Sequence, residues 1–286
     1  MTMLKIKESG YNAVRVMFDS PLLETRPEWG WNDSWFQKTL AIAEALNLWL
    51  IVDYHGYYDV SRVKDEWIAW WRDNLISKYK DAYDKLIWEP INEPVMEGLE
   101  GKDAVDALAL AYQEWIDMCR GLGDTHWIIV SAVCWWNSLP EVDWFPTVTD
   151  ALNRTFLNRH FYYFYEWNKD RWTVEQAQAQ ADYYYQVIVQ AIQKYNRPFF
   201  STEMGADYGV IEPPDAQYKG ASSYSTTSLA FIQRLITNFD SHPGRIGYTL
   251  WPAGDWAKDW PQGENYTGLY GGMNIWGNLL TYEPFA

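Results

Sequence analysis

Apolar residues fall into short, nearly unbroken runs at 13–18, 48–54, 86–91, 127–134, 156–161, 198–202 and 246–251. Runs of this length, rich in Val, Ile, Phe and Trp, read as strands buried on both faces, the pattern of a parallel sheet. Between them the apolar positions take up a helical period. Asn32 and Asp33 cap a helix reaching residue 47, with Phe36, Leu40, Ala43 and Leu46 at helical spacing. Residues 66–79, 103–120, 173–195 and 226–239 follow the same logic, and Gly10, Gly121 and Gly123 stand where helices should stop. The apolar runs recur about every 40 residues, close to the length of a strand–helix repeat.

No linker, low-complexity tract or shift in composition interrupts the pattern, so residues 1–286 read as one domain. Alternating buried strands and helices at this length predict an α/β fold, a (β/α)8 TIM barrel. Seven strands are visible where closure needs eight, and an open sheet would leave two unpaired edges. The candidate eighth is the stretch at 272–278, although the connection before it, 253–270, is rich in Gly, Trp and Asp and has no helical period.

Composition narrows the function. A formal charge of −15 repels phosphates and anionic lipid, so neither nucleic acid nor membrane is expected as a partner. There is no run of about 18 apolar residues and no leader-like N-terminus. A mature extracellular form is the expectation, with a cytoplasmic one left open, and a monomer in either case. Cys119 and Cys134 fall in a helical and a strand pattern and read as two free thiols. The four histidines are scattered without metal-ligand spacing, so neither metal nor cofactor is expected. Aromatics are the unusual feature, with 19 Trp and 21 Tyr. Flat rings stack on the C–H faces of sugars, although dense core packing would use them too.

Two acids end strands. Ile91-Asn92-Glu93-Pro94 follows one apolar run, and Glu203 follows Ser201-Thr202 at the end of another. In a barrel such positions open onto the C-terminal rim. Paired carboxyl groups there match glycoside hydrolysis, in which one acid protonates the leaving oxygen and the other attacks the anomeric carbon. Glu89 has the same strand parity as Glu93 and reads as lining the interior. Trp29, Trp31, Trp135, Trp136, Trp167, Trp256 and Trp260 border the same end, as do Tyr57 and Tyr58, and Trp136 and Trp167 are the candidate sugar platforms.

These residues resemble glycoside hydrolase family 5, the cellulase-like members of clan A, along nearly the whole chain. The likeness rests on Arg15 in Tyr11-Asn12-Ala13-Val14-Arg15, His55 in Asp53-Tyr54-His55-Gly56, and Asn92-Glu93-Pro94. It continues with His160 and Tyr162 in Asn158-Arg159-His160-Phe161-Tyr162, Glu203 before Met204-Gly205, and Trp251 in Tyr248-Thr249-Leu250-Trp251. The resemblance implies a retaining endo-β-1,4-glycanase, in the first instance an endoglucanase, with Glu203 as nucleophile and Glu93 as general acid/base. It implies that Arg15 and the Tyr162 hydroxyl keep Glu203 ionised. Asn92 would bind the sugar 2-hydroxyl, His55 and His160 the sugar and the carboxylates, and Trp251 would floor the subsite beside the cut bond. The carboxyl groups of a retaining pair stand roughly 5–5.5 Å apart. A β-mannanase is the nearest alternative, and a non-catalytic carbohydrate-binding barrel is the alternative of another class.

One departure stands out. Family members begin with a strand and loop that are missing before the helix at 2–9, and 272–280 looks like that strand. A circularly permuted barrel, its first strand supplied by the C-terminal segment, accounts for this order, because exposed loops tolerate recutting. A truncated chain with an ordinary tail is the rival. Permutation requires 272–278 to lie between the strands at 13 and 246.

Overall fold

The computed structural model describes residues 3–8, 10–23, 30–134, 138–163, 172–205, 226–243, 246–250 and 273–274. In chain order the elements are α1 (Met3–Glu8), β1 (Ala13–Asp19), α2 (Asp33–Ala45), β2 (Trp49–His55), α3 (Asp59–Arg62), α4 (Lys64–Trp71), α5 (Ser77–Tyr79), β3 (Leu86–Glu89) and α6 (Gly101–Gly121). They continue with β4 (Trp127–Ser131), β5 (Thr155–Asn158), β6 (Phe161–Tyr162), α7 (Val174–Tyr195), β7 (Phe200–Gly205), α8 (Thr226–Ser241), β8 (Gly247–Leu250) and β9 (Met273–Asn274). Packing divides the chain into two compact units. One holds the described residues of Val14–Arg159 and Ala191–Phe200; the other holds the described residues of Met1–Ala13, His160–Gln190 and Ser201–Tyr282.

In the unit holding Val14–Arg159 the strand order is β5-β4-β3-β2-β1. The pairs β2–β3, β3–β4 and β4–β5 are parallel, with Asp53 beside Glu89 and Ser131 beside Asn158. The residues of β3, β4 and β5 are buried throughout, and so is β2 up to His55, as their continuous apolar runs predict. Helix α6 lays Ala104, Leu108, Ala111, Tyr112, Trp115 and Cys119 toward the core at helical spacing. Trp71 meets Trp88 and Trp115 edge-on, at ring separations of 5.9 and 5.3 Å.

Local propensity places these elements, but tertiary contacts set their ends. The run at 86–91 stops as a strand at Glu89 because Pro90 has no N–H for a ladder. The Pro90 carbonyl is claimed instead by the Nε1 donors of Trp67 and Trp71, at 2.8 and 3.0 Å. The helix expected over 66–79 is three pieces, α4, a π-turn at Arg72–Ile76 and α5, which together keep Trp67, Trp71, Leu75 and Ile76 buried. The strand expected over 156–161 is two, β5 and β6. Just beyond β5, Arg159 turns to an ion pair with Glu141 and stacks on Trp144, 4.4 Å from its ring centre.

In the other unit the order is β6-β7-β8-β9, with β6 and β7 parallel through Phe161–Met204 and Tyr162–Gly205. Its core is again aromatic. Phe161 packs on Tyr184 at 5.1 Å, Tyr163 on Phe231 at 5.6 Å, and Phe239 on Tyr248 at 6.0 Å. Met273–Asn274, the described part of the 272–278 stretch, pairs with β8 and with Ala13, the place that permutation requires. The position is the one expected of a first strand supplied by the C-terminal segment. Its sense differs: Met273–Asn274 pairs antiparallel with both neighbours, whereas the first strand of a (β/α)8 barrel is parallel to its own. A parallel return needs a crossover, usually helical, and the sequence before β9 carries no helical period.

Below β3 and β4 lies a polar cluster. Asp150 takes both arms of Arg120 at 2.9 Å and the amides of Leu152 and Arg154. Asp124 accepts from Trp88 Nε1 at 3.1 Å, from the His126 amide and from His126 Nδ1. Burial alone would raise the Asp150 carboxyl, but the hydrogen bonds and charge of Arg120 and the two amides outweigh it and hold the group below its ordinary range. A lowered folded value contributes stability above the unfolded value of about 3.9, and that contribution is lost as pH falls through the folded value. Asp150→Asn should therefore destabilise the protein by about 1–3 kcal/mol at neutral pH. Urea unfolding at pH 7 and near pH 3 checks this: the gap between variant and parent must shrink in acid.

Candidate active site

Strand periodicity places the first group of side chains. Asp53 and His55 are two residues apart on β2 and share a face. Glu89 is the register partner of Asp53 on β3, so two carboxylates stand side by side. Arg15 of β1 resolves that conflict. Its Nε and Nη2 donate to Glu89 at 2.6 and 3.0 Å, and Nη2 forms an ion pair with Asp53 Oδ2 at 2.9 Å. Nη2 also donates to Asn92 Oδ1 at 2.8 Å. A guanidinium can only donate, so the Asn92 atom facing it is the carbonyl oxygen. The amide Nδ2 is thereby turned the other way, and this buried donor has no hydrogen-bond partner among the described residues.

Glu93 follows in a half-buried position with φ of +40°, a conformation that L side chains rarely adopt. Its neighbours impose this. The Asn92 amide donates to Tyr54 O at 2.9 Å, the Val95 amide to Tyr57 O at 2.8 Å, and the Cys134 amide to Pro94 O at 2.9 Å. With the backbone fixed on both sides, the residue between absorbs the turn. Glu93 thus stands on a stretched loop four residues past the end of β3, not on the strand itself.

The second group lies in the other unit. Glu203 of β7 is 7% exposed, and the Tyr162 hydroxyl donates to its Oε2 at 2.6 Å. His160 Nδ1 is 3.6 Å from the same oxygen, and His160 Nε2 is 2.9 Å from Thr202 Oγ1. The Glu203 carbonyl accepts from Ser201 Oγ at 3.0 Å, which pins the strand end. A phenol donating to a carboxylate stabilises its negative form, as required of an attacking group.

The structure therefore gathers Arg15, His55 and Asn92 in one unit and His160, Tyr162 and Glu203 in the other. Within its own unit Arg15 has Asp53, Glu89 and Asn92 among its partners. Trp251, Trp136 and Trp167 lie outside the described residues, as do Trp29, Trp135, Trp256 and Trp260. Trp31, expected at the rim, packs among Phe18, Phe36 and Trp70 at 5.0, 5.0 and 5.7 Å. The Tyr57 hydroxyl lies within hydrogen-bond distance of His55 Nε2, at 3.1 Å, and Tyr58 carries Arg62 over its ring. Sequence reasoning missed Asp53 and Thr202. Strand parity could have found the first, because an acid two before a rim histidine faces the same way.

Against this geometry the comparisons fall into place. The pattern of the family described as Cellulase (glycosyl hydrolase family 5) matches residues 2–251. The chain belongs to glycosyl hydrolase family 5. No curated protein sequence matches it. Among solved structures it is similar to XacCel5A in complex with cellopentaose, with a TM-score of 0.62 and 19% identity over 87% of this chain and 78% of that one. It is also similar to *Thermotoga maritima* Cel5A solved with cellobiose, with a TM-score of 0.63 and 16% identity over 93% and 87%. The same enzyme with mannotriose gives a TM-score of 0.63 and 15% identity over 94% and 89%. At such identities the likeness speaks for the fold alone, the (β/α)8 class, in keeping with the parallel strands and helices above. As a family 5 protein the chain is a glycoside hydrolase.

The strain at Glu93 makes a prediction independent of chemistry. Gly normally destabilises relative to Ala, but at positive φ the order inverts, because only Ala retains a clashing Cβ. Glu93→Gly should unfold later than Glu93→Ala, by about 1 kcal/mol in urea titrations. If the alanine variant is the more stable, the strain assignment is wrong.

Proposed function

We propose that this family 5 hydrolase is a retaining endo-β-1,4-glucanase acting as a monomer on extracellular β-glucan, with Glu203 as nucleophile and Glu93 as general acid/base. The observation that carries the reading is the 2.6 Å hydrogen bond from the Tyr162 hydroxyl to Glu203 Oε2 on β7. It favours a carboxylate that is ionised and aimed. In the first step the Glu93 carboxyl protonates the glycosidic oxygen while Glu203 attacks the anomeric carbon. The C–O bond to the leaving chain breaks and a glycosyl ester forms on Glu203. In the second step Glu93, now a carboxylate, takes a proton from water, and that water displaces Glu203 with net retention. The Asn92 amide, its oxygen held by Arg15, offers Nδ2 to the sugar 2-hydroxyl, a contact that strengthens in the transition state.

Support for a β-1,4-glucan comes from the XacCel5A complex with cellopentaose and the *Thermotoga* enzyme with cellobiose. The mannotriose complex of that same enzyme favours a mannanase as the second reading. Release of reducing sugar from carboxymethylcellulose, mannan, xyloglucan and lichenan separates them. The glucanase reading expects the cellulose derivative or lichenan to lead, and preference for mannan would overturn it in favour of the second. Glu203→Ala should lose at least about 10⁴-fold in kcat, in line with removal of an essential nucleophile, and keep its affinity for cellopentaose. Proton NMR of the first-formed anomer should show β-product. Early α-product would sink the retaining mechanism.

A further inference from the structure

We propose that Asp53 is a positioning residue of this site: its buried carboxylate decides which nitrogen of His55 carries the proton, and so presents Nε2 as an acceptor. The inference rests on the glycanase reading for its effect on turnover, but not for its geometry.

Asp53 is fully buried within the apolar run of β2, where an acid is costly unless it is paired. Its Oδ2 lies 2.8 Å from His55 Nδ1. A carboxylate has no proton to offer, so Nδ1–H must donate. A neutral imidazole protonated on Nδ1 keeps its lone pair on Nε2. The Tyr57 hydroxyl, 3.1 Å from Nε2, donates into that lone pair. Donors thus run inward along the row, from Tyr57 to His55 to Asp53, and acceptor character faces outward. A carbohydrate hydroxyl arriving at this edge meets an acceptor at the Tyr57 oxygen, or at Nε2 if it displaces the phenol. With the opposite tautomer it would meet a donor.

The anchor itself is held in place. Oδ2 also pairs with Arg15 at 2.9 Å, and Arg15 is gripped by both oxygens of Glu89 and by Asn92. Register pairing fixes the Asp53 backbone beside Glu89. One oxygen therefore orients two of the polar side chains at these strand ends. This is the arrangement by which a buried carboxylate selects a functional histidine's tautomer in other sites.

The test reads the tautomer directly. Nitrogen-15 NMR at about pH 8, above the ordinary imidazole titration range, should show His55 protonated at Nδ1 in the parent. With four histidines in the chain, its signals are identified by their loss in His55→Ala. Asp53→Asn keeps the shape but offers only a neutral acceptor, and Asp53→Ala removes it. Both should populate the Nε2–H form and lower kcat on cellopentaose by about tenfold to a hundredfold, the usual effect of losing a group that orients a functional histidine. In the His55→Ala background, Asp53→Asn should cost clearly less than it does alone, the remainder reporting its ion pair with Arg15. The proposal is overturned if the parent is already Nε2–H, if the variants leave tautomer or turnover unchanged, or if the two losses are fully additive. Should the parent hydrolyse no β-glycan, the glycanase reading fails, and the tautomer measurement, which needs no substrate, still decides the role of Asp53.

Discussion

Two carboxylates, Asp53 and Glu89, stand in register on adjacent parallel strands, both fully buried, with one guanidinium to hold them. At about 4 Å and an effective dielectric near 20, each unit-charge contact is of the order of 4 kcal/mol. Arg15 therefore supplies two attractive terms against one repulsive term, with its hydrogen bonds directed along the contacts. Without it, two acids would be buried side by side with no opposite charge between them. Because Arg15 is on β1, Asp53 on β2 and Glu89 on β3, the cluster ties three strands together. It sets the side chains that follow, His55 two residues beyond Asp53 and Asn92 three beyond Glu89. The Tyr162–Glu203 bond does corresponding work within the other unit.

The legible part of the fold was the part governed by local pattern. Strands buried on both faces announce themselves as unbroken apolar runs, and α6 and α7 by their period. What was not legible was decided by partners distant in sequence. Pro90 marks where β3 must stop, but nothing near it says that two indoles from α4 will take its carbonyl. Nothing in 156–161 says that Arg159 will turn to Glu141. The sense of β9 belongs to the same class, since composition indicates that a segment can pair but not in which direction. Direction is set by the path of the chain between strands.

At the site, reading residue types named the acids and their polar neighbours but not the pairings among the strand residues. Within its unit the structure engages Arg15 with Asp53, Glu89 and Asn92. Charge alone could not foresee these pairings, because residue type does not say which strand residues stand side by side. Register does distinguish them, and register is a tertiary fact. Asp53 was passed over for a related reason: inside an apolar run, an acid reads as a strand residue until its face is compared with that of His55.

Several local choices near these strand ends run against stability. Glu93 holds a backbone angle suited to glycine, Asn92 leaves a buried amide donor without a partner among the described residues, and Asp53 leaves Oδ1 in the same state. An unmade buried hydrogen bond costs about 1–3 kcal/mol and backbone strain a similar amount. A core built for stability alone would have satisfied the amide and placed glycine at 93. Trp115 Nε1 is also without a described partner, but it stands alone in the helix packing. At residues 53, 92 and 93 the deviations gather around one arginine, and each leaves a group able to donate, accept or transfer a proton. Such a concentration of local cost is what a site preorganised for a polar ligand requires, because binding can then supply the bonds that folding left unmade.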